Sequence, residues 1–92
     1  MKYHLNISEE AKLDIADAKI YYSKIDKNLS KRCIDDIVSV IESLVLNPFY
    51  HQIRYRNVRI AFTSAFPYGI HFIIEDENIF ILRVFHTKRF FK

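Results

Sequence analysis

Tyr68-Gly69-Ile70-His71-Phe72-Ile73-Ile74-Glu75, then Asp76-Glu77-Asn78, then Ile79-Phe80-Ile81-Leu82-Arg83-Val84-Phe85-His86 is the stretch that decides how this chain folds. Two runs dense in β-branched and aromatic residues flank a three-residue acidic turn, the pattern of neighbouring antiparallel strands. The second run empties into Thr87-Lys88-Arg89. Groups suited to proton transfer and phosphate contact therefore stand on the rim of a rigid sheet, which points to an RNA- or DNA-linked task.

Upstream of this hairpin, Val58-Arg59-Ile60-Ala61-Phe62-Thr63 reads as a further strand and Gln52-Ile53-Arg54-Tyr55-Arg56 as a weaker one. Before Pro48 the apolar period lengthens. Ala11, Ile15, Ala18, Tyr22 and Ile25 recur at spacings of four and three, with Ser8 as a cap and Glu9 and Glu10 at the positive end of the helix dipole. Asp26-Lys27-Asn28 breaks that stripe. Ser30 offers a second cap, and Ile34, Ile37, Val38, Ile41, Leu44 and Val45 form the next stripe, which ends before Asn47-Pro48. The short connection returns the second helix antiparallel to the first. Tyr3, Leu5 and Ile7 alternate with polar residues as a short opening strand. The expected order is β-α-α-β-β-β-β, an α+β fold with a helical hairpin on one face of a mainly antiparallel sheet and the other face open to a partner.

Ninety-two residues make one domain, residues 1–92, with a single core. At this size folding buries roughly 60 to 65% of the chain's surface, so a partner can complete its stability. Half the residues are hydrophobic and Gly69 is the only glycine, a composition that folds. Cys33 stands alone and cannot form an internal disulfide, and no signal-peptide pattern or apolar run of about 20 residues occurs. The cytoplasm is the expected location, without a membrane role. Net charge is +3, but unevenly spread: residues 1–47 carry seven Lys/Arg against eight Asp/Glu, and residues 48–92 carry seven against three. The basic half suits either phosphate or an acidic protein partner.

Catalytic signatures are sparse. There is no Gly-rich phosphate loop, no nucleophile elbow and no Cys/His spacing for zinc, so no metal and no cofactor is expected. Asp14, Asp17, Asp35 and Asp36 read as solvated helix-face charges. Strand alternation puts Phe80, Leu82, Val84 and His86 on one face of the last strand and Ile81, Arg83 and Phe85 on the other. Arg83 then points into the open face, where Arg59 can join it in holding a phosphate or carboxylate, with surface arginines as the plain alternative. His86 can act as a general acid or base, with Lys88 and Arg89 stabilising charge on a scissile phosphate, which would make a metal-free ribonuclease. The plain alternative is a strand-end histidine bonded to backbone.

The element order, Phe66-Pro67-Tyr68 at the start of a strand, and the Val84-Phe85-His86-Thr87-Lys88-Arg89 ending together resemble the RelE/ParE superfamily of type II toxins. The resemblance covers nearly the whole chain. It implies a bacterial growth inhibitor of the plasmid-stabilisation type, neutralised by a small antitoxin that wraps it. Two chemistries follow from it: RelE-like members cut mRNA on the ribosome without metal, whereas ParE-like members block DNA gyrase. Cleaving members tend to carry an arginine just after the aromatic residue that opens the penultimate strand, and basic residues on the strand before it. This chain has Gly69 there, and Ile60, Ala61 and Phe62 on the earlier strand. Loss of a charge-stabilising group of that kind costs on the order of 10² to 10³ in rate. The ParE-like reading is therefore placed first, with Arg59, Arg83 and Tyr68 as target- or phosphate-binding candidates. His86, Lys88 and Arg89 are catalytic only if the chain is a nuclease. A third reading is a non-toxic module that only holds its antitoxin.

Overall fold

The change of period near Pro48 is where the chain passes from helices to sheet. The computed structural model describes the backbone of residues 2–90 and the side chains of residues 2–88. Its elements are β1 (His4–Ile7), α1 (Glu9–Ser23), α2 (Lys27–Ser43), a 3-10 turn (Pro48–Tyr50), β2 (Ile53–Tyr55), β3 (Val58–Phe62), β4 (Tyr68–Glu75), β5 (Asn78–His86) and a short α3 (Thr87–Phe90). They form a five-stranded sheet in the order β1-β5-β4-β3-β2. All pairs are antiparallel except β1 with β5, which is parallel because the helical hairpin carries the chain back across the sheet.

Ser8 starts α1 as expected, its Oγ accepting from the Ala11 N–H. α2 begins earlier than the apolar stripe predicts. Asp26 caps it by accepting from the Asn28 N–H, while Ser30 lies buried one turn inside and donates to the Lys19 carbonyl of α1. Ala11 and Ala18 of α1 and Cys33, Ile37, Ile41 and Leu44 of α2 pack on Ala61, Tyr68, Ile70, Phe72, Ile79, Ile81 and Val84 of the sheet. Small residues on α1 let that helix lie close to the strands. Burial pushes the Cys33 thiol up to about 11, so it stays protonated and inert.

The hairpin that decides the fold departs from simple alternation in two places. Asn78 pairs with Glu75, so the turn is only Asp76-Glu77, and Asp76 adopts a φ of 54°. A bulge follows: His71 pairs with Arg83 but Phe72 with Ile81, leaving Leu82 as the extra residue on β5. Ile79 and Ile81 face the helices, and after the bulge Val84 does as well. The strict split of Phe80, Leu82, Val84 and His86 from Ile81, Arg83 and Phe85 is therefore corrected, because one inserted residue reverses the phase halfway along the strand.

Nor is the second sheet face an open plain. Val58, Ile60 and His71 are buried there, and His71 is only 1% exposed. Tyr55 closes over His71 through a hydrogen bond of 2.9 Å between its hydroxyl oxygen and the imidazole Nδ1, and the Phe85 ring meets the imidazole edge-on at 5.0 Å. Burial pushes the His71 pKa down to about 4, with the nearby Arg83 guanidinium adding to the fall and Asp14 opposing it. The folded chain thus resists a proton that the unfolded chain accepts near 6.5. Stability from this group is complete above about pH 6.5 and is lost as pH falls toward 4, by roughly 3 kcal/mol at most. Chemical denaturation between pH 7 and 4.5 is expected to show this loss, and His71→Phe to flatten it. An unchanged slope in the variant would assign the pH dependence to other groups.

Candidate functional site

β1 ends at Ile7 while its partner β5 runs on to His86, so half of β5 has no neighbouring strand on that side. α1 fills the gap with side chains. The Ser8 N–H donates to the Ile81 carbonyl and the Ser8 Oγ donates to Leu82 O at 2.8 Å. Nearly two turns on, the Asp14 carboxylate accepts from the Val84 N–H at 2.9 Å. The same carboxylate takes Arg83 bidentately, at 2.8 Å from Nε and 2.9 Å from Nη2. That hydrogen bonding raises the Arg83 pKa further, and the guanidinium also stacks 4.4 Å from the Phe85 ring centre. Asp14 is thus a fold-making residue, not the solvated charge its helix position implies.

Past this clamp a groove opens along α1. Its first part, about 330 Å³, is lined by Asp14, Asp17, Tyr68, Arg83, Val84, Phe85 and His86. The second, about 520 Å³, shares Asp17, Tyr68 and His86 and continues to Ile20, Tyr21 and Lys24. Tyr68 and His86 face each other across β4 and β5, their rings 5.4 Å apart. Their spacing is held by the loop before β4. The Asp36 carboxylate accepts from the Ser64, Ala65 and Phe66 N–H groups, Thr63 Oγ1 donates to the Phe66 carbonyl, and Pro67 O receives the Thr87 N–H at 2.8 Å. Asp36, read from sequence as a surface charge, is instead the anchor of that loop.

The proposed anion-binding pair does not assemble. Arg59 pairs with Phe72, which shares the helix-side face, whereas Arg83 pairs with His71 on the other face. Arg59 is also committed locally, donating from Nη1 to the His51 carbonyl at 2.6 Å and stacking 5.1 Å from the Phe49 ring centre. Side chains paired across a sheet share a face, so two arginines at positions of opposite phase cannot converge on one phosphate. His86 lies in the groove wall and its Nδ1 accepts from the Lys88 N–H at 3.2 Å. Lys88 is exposed just beyond it. The side chains of Arg89 and Phe90, and the whole of Phe91 and Lys92, lie outside the described residues.

What the stripe analysis passed over is the outer side of α1. Ile20 and Tyr21 are 54% and 58% exposed along the groove, and Leu13 is exposed on the same helix. A helix with apolar residues on more than one side is a signal of a missing partner, and it was readable in the sequence. The groove combines that apolar rim with two carboxylates, Asp14 already neutralised by Arg83 and Asp17 beside it, and with Lys24 at its far end. Such a mixed, apolar-rimmed lining suits a protein segment better than a polyanion. Among the described residues, no three His, Cys, Asp or Glu side chains gather closely enough to hold a metal ion. No helix among them is long and apolar enough to cross a membrane.

No curated protein sequence matches significantly. Among solved structures, the chain resembles one from the chromosomal ParDE toxin–antitoxin system of P. aeruginosa, with a TM-score of 0.83 at 18% identity over 92% of this chain and 96% of the other. It also resembles a chain of the E. coli DinJ-YafQ toxin-antitoxin complex, with a TM-score of 0.65 at 13% identity over the whole of both chains. At such identities these likenesses show a shared α+β fold. A family model described as the ParE toxin of the type II toxin-antitoxin system parDE matches residues 5–91. The chain belongs to the ParE toxin family of type II toxin–antitoxin systems.

Proposed function

We propose that this toxin arrests growth by binding a protein target, with DNA gyrase as the target its family favours, and that a cognate antitoxin neutralises it in the cytoplasm by covering the groove along α1. The observation that carries this reading is the Asp14–Arg83 clamp. It consumes the one arginine in the groove wall, and Arg59 is held away from the groove by the His51 carbonyl and the Phe49 ring, so neither of these two arginines serves a phosphate beside His86. Metal-free cleavage of RNA needs an acid–base pair and cations around one phosphate. The groove meets an incoming phosphodiester with Asp17 as well as Lys24, so its lining sets a carboxylate against the phosphate.

The exposed Ile20 and Tyr21 support the antitoxin's seat, because a helix or extended segment laid along α1 covers them while reaching Asp17 with a basic side chain. The competing reading, a ribosome-dependent nuclease using His86, Lys88 and Arg89, makes a different mark on the cell. RNA mapped from arrested cells is expected to carry no new 5′ ends within coding sequences. Codon-phased ends that vanish in a His86→Ala variant would assign the nuclease activity.

A further inference from the structure

Residues 18–34 carry Lys19, Lys24, Lys27, Lys31 and Arg32 against Asp26 alone, while the rest of the chain carries nine Lys/Arg against ten Asp/Glu. The positive excess of the protein therefore sits at the closed end of the helical hairpin, a concentration that the near balance of residues 1–47 conceals. Asp26 is engaged as the cap of α2, accepting from the Asn28 N–H at 2.7 Å. All five cations are exposed. Among the described residues the ion pairs are Lys12 with Glu9 and Arg83 with Asp14, so none of the five is in one.

Lys19 from α1 and Lys27 and Lys31 from α2 line a groove of about 310 Å³, together with Ser23, Ser30 and Asp35. It shares no residue with the groove along α1, and no strand contributes to it. One hydrogen bond sets its width: the buried Ser30 Oγ donates to the Lys19 carbonyl at 3.0 Å, tying the helices together where the lysines stand. Ser23 Oγ donates to the Ile20 carbonyl at 2.9 Å. With both hydroxyl protons engaged, the side-chain donors left in the lining are the three ammonium groups. Lys27 and Lys31 stand four residues apart on one helix face, a like-charge spacing that weakens a helix. Asp35, four residues beyond Lys31, forms no ion pair with it. An anion seated in the groove relieves that repulsion.

The chemistry of the lining selects among anions. Lysine is a flexible point charge that follows a phosphate without fixing its orientation, unlike the fork that arginine offers a carboxylate. No aromatic ring lines the groove, so the bases of a single strand have nothing to stack on. An acidic protein segment draws its affinity from a central apolar or aromatic anchor, and the half-buried Ile34 is the one apolar residue of this lining. We propose that the groove holds the phosphate backbone of duplex DNA, without reading its sequence. The preference for DNA over RNA rests on the toxin reading above, whose favoured target works on DNA, whereas the phosphate site itself does not.

The test titrates the full ¹⁵N-labelled chain with a short mixed-sequence DNA duplex, its RNA counterpart and poly-glutamate, each over a range of salt concentrations. DNA is expected to shift the amides of residues 19–31, with log K falling against log salt at a slope of about −3, the counterion release of three phosphate contacts. K27Q/K31Q is expected to weaken binding at least tenfold and to reduce that slope by about two. R54Q/R56Q, on the β2–β3 hairpin, is expected to lose less than threefold. Shifts confined to other residues, poly-glutamate bound as tightly as DNA, or native affinity and slope in K27Q/K31Q overturns the proposal. An RNA duplex bound tenfold more tightly than DNA overturns it as well. Growth arrest is read separately, by a DNA-damage reporter in cells, so a groove that fails these titrations leaves the toxin reading standing. A silent reporter refutes that reading, while K27Q/K31Q still decides whether the groove holds phosphate. Both lysines are exposed, and circular dichroism of the variant checks that the fold is kept.

Discussion

Asp14→Ala is expected to lower the stability of this domain by about 2 to 3 kcal/mol, one of the larger effects available outside the core. The carboxylate makes three hydrogen bonds at once, two to the Arg83 guanidinium and one to the Val84 N–H at the uncovered edge of β5. Hydrogen bonds to charged groups contribute roughly 1.5 to 3 kcal/mol, and a buried N–H left without a partner costs about 1 to 3 kcal/mol. The sum is discounted because the Arg83 side chain is 42% exposed and water replaces part of what it loses. For a domain of this size the shift in Tm is on the order of 10 to 20 °C. Thermal and urea denaturation of Asp14→Ala, Arg83→Ala and the double variant isolates the coupling between them. A loss below about 0.5 kcal/mol in Asp14→Ala would mean that solvent already satisfies this edge and that the clamp does not hold α1 to β5.

The second large effect concerns binding. Ile20→Glu with Tyr21→Glu is expected to weaken the antitoxin complex by roughly 10² to 10³, since two central apolar contacts are worth about 2 kcal/mol each. Both side chains are more than half exposed, so the free toxin is expected to fold normally. Tyr21 meets Tyr22 edge-on at 5.0 Å, an internal contact that the change disturbs. Calorimetric titration of the antitoxin into the native and variant toxins reads the result directly. An affinity that falls less than threefold would move the antitoxin's seat away from α1.

Much of this architecture was legible in the sequence, because period and punctuation report local structure. The switch from a 3.6 to a 2.0 repeat at Pro48, the Ser8 cap and the acidic turn all lie within a few residues of the elements they define. What was not legible depends on partners distant in sequence. Asp14 and Asp36 have the spacing of ordinary surface carboxylates, and only the packing of α1 on β5 and of α2 beside the 64–66 loop gives them their roles. The parallel pairing of β1 with β5 is likewise invisible to periodicity.

The candidate site suffered more, for one local reason. A single extra residue at Leu82 reverses the phase of β5, and the Arg59–Arg83 pairing inferred from alternation fails on register. Tyr68 and His86 did come together, as direct cross-strand neighbours in the groove wall. The exposed side of α1 was written in the sequence as Leu13, Ile20 and Tyr21, but a stripe analysis that seeks the core discards residues that do not fit it.

The central claim is that this ParE-family chain acts through protein contact and not through RNA cleavage. Inducing it alone in bacteria while following a DNA-damage reporter beside amino-acid incorporation tests that most directly. Early induction of the reporter with translation continuing is the predicted result, as expected of a toxin that holds gyrase. Immediate loss of incorporation with a silent reporter would contradict the account and return His86, Lys88 and Arg89 to the centre of the mechanism.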